Sequence, residues 1–334
     1  MRHLFMMRVG HLLSWERALH LPLRVSAPMY RALDSAPWNA PRESGPLPGS
    51  TPSVAGIVFS KDRPLQLDAL LRTFRTLASG DVSLTVIYAA STERYRDAYL
   101  ELMGLHESGA TRFLAESEHG GFRASLGDVL DKLTSDAVFF LVDDIVFIER
   151  VDIERLARLA VEGFVPSMRL GRNVTYSYVV TRRQKLPPMK PLARSGPASA
   201  AGGDEELWAW KWRSGELDWA YPLSLDGNVF VAKEIRECIQ SLDFSAPNTL
   251  EDALQSANQR FRHRWGVCYR KSRLVNLPIN RVQDEVLNLH GLVHQDDLLA
   301  MWNRGLRLDT STLLGFNNVS VHEEAPLTFV PVTE

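Results

Sequence analysis

Two adjacent carboxylates, Asp143 and Asp144, follow six consecutive apolar residues, Ala137–Val142, and an apolar run resumes at Ile145. A short apolar run rich in Val and Phe is typical of a strand that is buried on both faces. Ligands of open α/β sheets bind at the carboxyl ends of such strands. Two like charges are costly to bury there unless a hard cation or water reaches them. The pair therefore predicts a divalent metal site. The alternative is a turn that one Asp caps while the other is solvated.

Two further segments carry groups that suit a phosphate. Gly120 and Gly121 precede Arg123 at a predicted helix start, where backbone N–H groups and a guanidinium favour an anion. Arg63 follows the first predicted strand and is interpreted as a contact to a phosphate or to a base. The alternative for both arginines is a surface position beside an ordinary loop.

The elements that position these residues alternate along the chain. Apolar strands are predicted at 54–59, 84–90 and 111–115, ahead of the strand that ends at Asp143. Helical spacing of apolar residues connects them, with a helix opening after Gly121. The β-α-β-α-β order predicts an α/β fold whose mostly parallel sheet has helices on both faces. Beyond it, 164–170 and 173–181 are predicted to be further strands.

Composition excludes several classes of protein. The formal net charge of −2 gives no global basic field for nucleic acid. Two cysteines, Cys238 and Cys268, form neither a disulfide framework nor a zinc cluster, and favour a reducing cytoplasm. The sequence has no apolar run of about 18 residues, so no transmembrane helix is expected.

Residues 2–24 combine four arginines with apolar residues. They are expected either to lie on an anionic membrane surface or to pack on the protein's own body.

The motifs together resemble bacterial GT-A glycosyltransferases of the family 2 type. Ser-Lys-Asp-Arg-Pro at 60–64 is similar to the opening of that fold, and 140–144 resembles its DXD motif. Three later stretches, 167–171, 225–230 and 248–251, resemble a bacterial branch of the group. The similarity covers roughly residues 54–308. It implies a GT-A (Rossmann-like) fold and transfer of a sugar from a nucleotide donor to a glycan or lipid-linked acceptor in bacterial surface-polysaccharide synthesis.

The resemblance also implies site residues. Mn²⁺ or Mg²⁺ would be bound by Asp144 and Asp143, with His294 completing the shell; His290 and His294 are otherwise a surface pair on a helix. The donor, a UDP- or GDP-linked sugar, would contact Ser60, Asp62, Arg63, Arg123 and Asp143. Two departures from the family pattern affect this assignment. Val142 or Ile145 stands where a further Asp is usual, and 89–92 has no acidic residue to hold the base.

An inverting transferase of this type needs a carboxylate that deprotonates the acceptor hydroxyl. Glu251 and Asp252, at a predicted helix start, are the two candidates. Asn248 and Glu251 also have the spacing of a capping box, which would give Glu251 a structural role and leave Asp252 as the base.

The acceptor is expected to contact the second half of the chain. Trp208, Trp210 and Trp212 alternate, which predicts one face of an extended segment. Such faces suit sugar rings and hydrophobic cores equally, and Trp208 and Trp210 are assigned to an acceptor groove. Asp226, before Gly227, is assigned there as well. The loop 182–206, rich in proline and glycine, is interpreted as a mobile lid or a surface insertion.

The domains are therefore predicted as an N-terminal extension and linker at 1–53, a donor half at 54–150, an acceptor half at 151–310 and a tail at 311–334. The expected location is the cytoplasm, with possible peripheral contact at the inner face of the membrane.

Two other functions compete: a catalytically inactive carbohydrate-binding or scaffold protein, and a nucleotidyltransferase. The latter should have a glycine-rich loop where 60–64 has no glycine. A phosphoacceptor receiver domain would have about a third of this length.

Overall fold

The computed structural model describes residues 42–43, 51–194, 206–280 and 293–332. Several predicted features lie outside the described residues. They are the basic segment 2–24, expected either on a membrane surface or packed on the body, most of the linker, the middle of the 182–206 loop and His290. Strands of at least three residues are β1 Val54–Lys61, β2 Val82–Ala89, β3 Thr111–Ala115, β4 Ala137–Val142, β5 Ile145–Phe147, β6 Val165–Gly171, β7 Leu207–Lys211, β8 Val229–Val231, β9 Trp265–Tyr269, β10 Leu274–Asn276, β11 Leu306–Leu308 and β12 Phe329–Pro331. The α-helices are α1 Pro64–Leu77, α2 Glu93–His106, α3 Phe122–Asp131, α4 Ile153–Val161, α5 Ala232–Gln240, α6 Pro247–Leu254, α7 Asn258–Arg262 and α8 Gln295–Asn303.

The central sheet has five strands in the order β8, β4, β1, β2, β3. Strands β1 to β4 are mutually parallel, and β8 runs antiparallel to β4 at one edge. Parallel pairing aligns the carboxyl ends of β1 and β4, so that Phe59 lies beside Val142. The Ser60–Arg63 loop and the acid pair therefore meet at one edge of the sheet, as the sequence predicts.

Both faces of this sheet are covered. Along β1, Val58 packs into one apolar cluster, while Ile57 and Phe59 pack into the other. Helices α1, α2, α4 and α8 contribute to the first cluster, and α3 and α5 contribute to the second. The predicted α/β class with a mostly parallel sheet and helices on both faces is confirmed. No helix among the described residues is long and apolar enough to cross a bilayer.

A second sheet joins later segments in the order Lys190–Pro191, β7, β9, β6. Only β6 and β9 are parallel there. Strand β10 pairs antiparallel with β5, which places Asn276 opposite Ile145, next to the acid pair. The predicted strand at 173–181 is wrong, because only Tyr176–Ser177 is extended, in a short hairpin with Arg182–Arg183.

The segment after Thr310, predicted only as a tail, packs back onto the body. Asn173 donates its side-chain amide to the carbonyl of Asn318 at 2.7 Å, and the backbone N–H of Asn276 donates to Val321 at 2.9 Å. Strand β11 also pairs with β12. This return brings His322 beside β10 and the site described below.

The tryptophans form a core. Trp210, Trp212 and Trp219 are fully buried, and the ring centroids of the latter two lie 4.7 and 5.0 Å from that of Trp210. Trp210 lies opposite Gly266, where an added Cβ would come within 2.4 Å of its ring. The assignment of Trp210 to an acceptor groove is therefore corrected, because its face is covered by protein. Trp208 is only partly buried.

This core predicts a stability difference between neighbouring tryptophans. Trp210→Ala is expected to lower the free energy of unfolding by about 3–5 kcal/mol, since it empties a packed site. Trp208→Ala, which removes a partly exposed ring, is the control and should cost clearly less. Urea unfolding of both variants measures the difference; equal losses would contradict the packing described here.

Candidate functional site

The acid pair at the end of β4 is bridged by Arg63. Nη1 of Arg63 donates to Asp143 Oδ1 at 2.9 Å and lies 3.3 Å from Asp144 Oδ2. Asp143 also accepts from the backbone N–H of Lys61 at 3.0 Å. Arg63 stands in the loop that joins β1 to α1, so the parallel register brings the guanidinium to the carboxylates. One buried guanidinium thus contacts both carboxylates.

Asp144 is the less satisfied member of the pair. Burial raises the pKa of Asp144 to about 7, and the charges of Asp143 and Asp226 add to the shift while Arg63 opposes it. Among the described residues, its Oδ1 receives only a long hydrogen bond from Asn276, at 3.3 Å. The Asp144 side chain keeps 18% exposure against 6% for Asp143. A carboxylate that is short of donors and still reachable is suited to bind an incoming cation.

The segment after β10 closes one side of the pair. Arg63 Nη2 donates to the carbonyl of Asn280, and Gln66 Nε2 donates to Asn280 Oδ1 at 2.8 Å. Four polar atoms around these bonds are buried without a hydrogen-bond partner among the described residues: Arg63 Nε, Gln66 Oε1, Asn276 Oδ1 and Asn280 Nδ2. Such unpaired groups are costly, and a bound polar ligand or water would satisfy them.

A second polar cluster is built around Arg169 on the buried strand β6. Nη1 of Arg169 lies 3.2 Å from Asp226 Oδ2, and Nη2 lies 2.9 Å from Asp218 Oδ1. Ser224 accepts from the same guanidinium. Gly227, at a φ of 83°, allows the turn that presents Asp226 before β8, and a Cβ there would come within 2.7 Å of Leu274. Arg169 therefore fixes two carboxylates from separate turns.

Glu251 joins this cluster from α6. Its Oε1 accepts from the backbone N–H of Leu225 at 3.0 Å. Burial raises the pKa of Glu251 to about 7, with the charge of Asp226 adding to the shift and Arg169 opposing it. The predicted Asn248–Glu251 capping box is wrong, because α6 begins after Ala246 and the Thr249 hydroxyl accepts from the Ala246 N–H at 2.9 Å. Glu251 is thus available for chemistry, while Asp252 is exposed.

Asp226 links the two clusters electrostatically. Its charge raises the pKa of Asp144 and that of Glu251, which stand on different halves of the chain. His322 lies against it, with Nε2 3.7 Å from Asp226 Oδ2, and its buried Nδ1 has no partner in the part of the chain that the structure describes. Burial, aided by Arg169, lowers the pKa of His322, so the imidazole is neutral at pH 7. Carboxylates from three segments therefore share one site.

Two predicted donor contacts line the β1–α1 loop. The Ser60 hydroxyl is 2.6 Å from the Tyr99 hydroxyl, which accepts from the Arg63 N–H at 3.2 Å. Asp62 is buried at a φ of 54° and accepts from the Ser91 N–H at 2.8 Å. A left-handed backbone at a non-glycine residue is costly and is found mostly at functional sites. Both side chains brace the loop that carries Arg63.

The remaining predicted site residues are Arg123, Trp208 and His294. Arg123 pairs with Asp243 on the surface, outside both clusters. Trp208 donates to Glu206 at 3.2 Å, and the guanidinium of Arg172 lies 4.0 Å above its ring. His294 is 67% exposed, and its Nδ1 accepts from the Asp296 N–H as the cap of α8. Its predicted place in a metal shell with Asp143 and Asp144 is therefore corrected.

The residues around the acids partly fit a divalent cation. Within 51–194, 206–280 and 293–332 no cluster of three His, Cys, Asp or Glu side chains could hold a metal unaided. Asp144 nevertheless offers a carboxylate whose ionised form needs a cation, so protein and ligand oxygens would have to share the coordination. Two carboxylate oxygens of Asp143 already accept hydrogen bonds from Arg63 and Lys61. Asp144 is thus the better ligand of the two.

Sequence reasoning missed Arg169, Asn276, Asn280 and His322. The one available signal was Arg169 itself, a charge within the otherwise apolar strand β6. Buried charges are almost always paired, so such a residue indicates nearby carboxylates. The remaining three join the site through β10 and the returning segment after Thr310, which no local pattern indicates.

No profile of a known protein family matches the chain. Among curated proteins, the bifunctional glycosyltransferase pgtA of Dictyostelium discoideum is 24% identical over 202 residues, which cover 56% of this chain and 25% of that protein. The chain thus spans about a quarter of that relative's length.

Several solved structures resemble the chain, and two of them have a nucleotide sugar bound. The mannosyltransferase PcManGT from Pyrobaculum calidifontis, in complex with GDP-Man and Mn²⁺, is 17% identical, with 52% of this chain and 51% of that one covered and a TM-score of 0.32. A fragment of S. aureus TarS in complex with UDP-GlcNAc is 13% identical, with 66% and 56% covered and a TM-score of 0.39. By name, the curated relative is a glycosyltransferase and the first of these two structures is a mannosyltransferase.

Proposed function

We propose that the chain is a metal-dependent glycosyltransferase that moves a sugar from a UDP- or GDP-linked donor to a glycan or lipid-linked acceptor. The observation that carries the proposal is the shared site of Asp144, Asp226 and Glu251, in which two carboxyl groups have a pKa near 7. Perturbed carboxyl groups in one buried cluster are typical of catalytic sites. The partial similarity to a Dictyostelium glycosyltransferase supports it. We assign the acceptor to the surface polysaccharides of bacteria.

Each end of the site has a distinct role in this proposal. Asp144 would hold Mn²⁺ or Mg²⁺, which when bound neutralises charge on the diphosphate leaving group. Asp143, held by Arg63 and the Lys61 N–H, would position the loop between β1 and α1. Ser60 and Asp62 in this loop remain our assignments for the donor side. Arg63 is placed to contact donor oxygens, since its buried Nε has no partner among the described residues.

Glu251 is assigned as the base that takes the proton of the acceptor hydroxyl. A carboxylate with a pKa near 7 is half ionised at neutral pH and accepts a proton more readily than an ordinary glutamate. Arg169 pairs with Asp226 at 3.2 Å, and the charge of Asp226 adds to the effect of burial in raising the pKa of Glu251. Asp226 and Trp208 remain our assignments for the acceptor side, and the loop 182–206 remains our assignment for a lid.

The proposal is tested by incubating the full chain with a panel of nucleotide sugars, with Mn²⁺ or with EDTA, and measuring release of the free nucleotide. We expect metal-dependent hydrolysis of one UDP- or GDP-linked sugar. Binding of a nucleotide sugar without turnover would favour the inactive scaffold. Release of pyrophosphate from a nucleoside triphosphate and a sugar phosphate would favour the nucleotidyltransferase.

The raised pKa of Glu251 predicts a pH dependence of stability. Between the ordinary glutamate pKa near 4.5 and about 7, the folded chain holds a proton that the unfolded chain releases. The free energy of unfolding therefore falls as pH rises through this window and levels off above it. The contribution from Glu251 is on the order of a few kcal/mol. Urea unfolding at several pH values should show a smaller decline for Glu251→Gln than for the wild type; parallel curves would contradict the shift.

A further inference from the structure

A group of cations lies at one end of the β7–β9 pair. Lys211, the last residue of β7, pairs in register with Trp265, the first residue of β9. Its Nζ lies 4.5 Å above the Trp265 ring and 3.3 Å from the carbonyl of His263. The exposed Arg213 follows in the turn Trp212–Ser214, whose first N–H donates to the carbonyl of Arg264. The strand pairing therefore gathers Lys211 and Arg213 beside the residues that precede β9.

The charges in this group are unequally balanced. Glu234 pairs with Arg264 and approaches Arg260 at 4.0 Å. Within the part of the chain that the structure describes, no carboxylate lies within ion-pair distance of Lys211 or Arg262. Arg262 Nε is moreover buried without a hydrogen-bond partner. A buried guanidinium N–H that lacks an acceptor is costly, and an oxygen-rich anion would satisfy it.

The imidazole of His263 lies within the field of these cations. Burial lowers the pKa of His263, and Arg213, Arg262 and Lys211 lower it further. The positive charges of these three residues therefore act on the same ring and repel one another. An anion among them would relieve the repulsion.

We propose that Lys211, Arg213, Arg262 and His263 form a binding site for a phosphate group, supplied by a free phosphate or diphosphate or by a phospholipid headgroup. The guanidinium and ammonium groups provide charge-assisted hydrogen bonds to phosphate oxygens. The partly buried Trp265 at the edge of the group suits either source. This site is separate from the carboxylate clusters and does not depend on the proposed transferase function.

The test uses calorimetry of the full chain with inorganic pyrophosphate in EDTA, which removes the metal that the donor site would need. Sodium chloride of equal ionic strength controls for screening. We expect saturable binding that Arg262→Lys weakens roughly tenfold, because the variant keeps the charge and loses the Nε donor. Lys211→Gln should weaken it similarly. Arg94→Gln, at an exposed position on α2, is the matched control and should bind like the wild type.

A parallel measurement identifies the source of the phosphate. Vesicles of phosphatidylglycerol and phosphatidylcholine in equal parts are sedimented with each variant, against phosphatidylcholine alone. Pyrophosphate binding that Arg262→Lys weakens assigns a free anion; vesicle binding alone that it weakens assigns a headgroup. The imidazole NMR signal of His263 is identified as the one that disappears in His263→Glu or His263→Gln. This signal should report a higher pKa of His263 when the anion is bound. Wild-type behaviour of both Arg262→Lys and Lys211→Gln towards both probes, or no binding to either, would overturn the proposal.

Discussion

Glu251→Gln is expected to lower the rate of sugar transfer by roughly 10²–10⁴-fold while the protein stays folded. The glutamine cannot take the proton of the acceptor hydroxyl. Its side-chain oxygen can still accept the hydrogen bond from the Leu225 N–H, which Glu251 accepts at 3.0 Å. Donor affinity should change little, because the donor is assigned to the other end of the site. Initial rates with saturating acceptor, together with a melting curve, measure the two effects.

Asp252→Asn is the matched control for this experiment. Asp252 neighbours Glu251 in α6 but is exposed, so the same chemical change is made outside the carboxylate cluster. We expect rates near those of the wild type. Loss of transfer in Asp252→Asn with normal rates in Glu251→Gln would exchange their roles. Normal transfer in both variants would remove the base from α6 and favour a retaining mechanism.

The pH dependence of the rate provides an independent check on Glu251. A base must be ionised to accept a proton, so transfer should rise with pH up to about 7 and then level off, in line with the raised pKa of Glu251. An ordinary exposed carboxylate would place this rise near its unperturbed pKa of about 4. A transfer rate that does not change between roughly pH 5 and pH 8 would contradict the assignment.

The sheet and the acid pair could be predicted because both rest on local patterns. The buried strand β4 is a run of apolar residues, and its end is marked by Asp143 and Asp144. Parallel pairing then places Arg63 beside them, since β1 ends at the same edge. Short-range signals of this kind determine where strands begin and end, and the topology of α/β folds determines which strand ends lie side by side.

Predictions from the sequence were wrong where two local explanations fit the same residues. Asn248 and Glu251 have capping-box spacing, yet Thr249 caps α6 and the carboxylate turns to Leu225. The alternating tryptophans fit a sugar-binding face, yet Trp210 packs on Gly266 in the core. In both cases a tertiary contact between segments distant in sequence decides the outcome, and no spacing reveals it. His322 is the clearest example, because it reaches Asp226 only after the chain returns along β10.

Asp144→Asn is expected to weaken metal-dependent donor binding by on the order of 10²-fold or more, because the loss of a carboxylate ligand removes several kcal/mol of charge stabilisation. The size of the side chain is kept, and Asn276 can still donate to the remaining oxygen. Loss of a carboxyl group whose pKa is raised by burial removes an unfavourable buried charge, so the melting temperature at pH 8 should not fall. Calorimetry with UDP and GDP, each with Mn²⁺ and with EDTA, measures the effect.

Asp143→Asn separates metal binding from charge balance at the same place. Asp143 is already engaged by Arg63 and by the Lys61 N–H, so it is assigned to hold the β1–α1 loop, not the metal. Its replacement should weaken donor binding with and without EDTA by a similar factor, and should destabilise the fold because Arg63 loses its closest carboxylate. Asp144→Asn, in contrast, should abolish the difference that EDTA makes. If EDTA leaves wild-type affinity unchanged, the acid pair holds no metal, and Arg63 alone supplies its positive charge. If Asp143→Asn is the variant that loses the EDTA effect, the two carboxylates have exchanged roles and Arg63 must move when the metal binds.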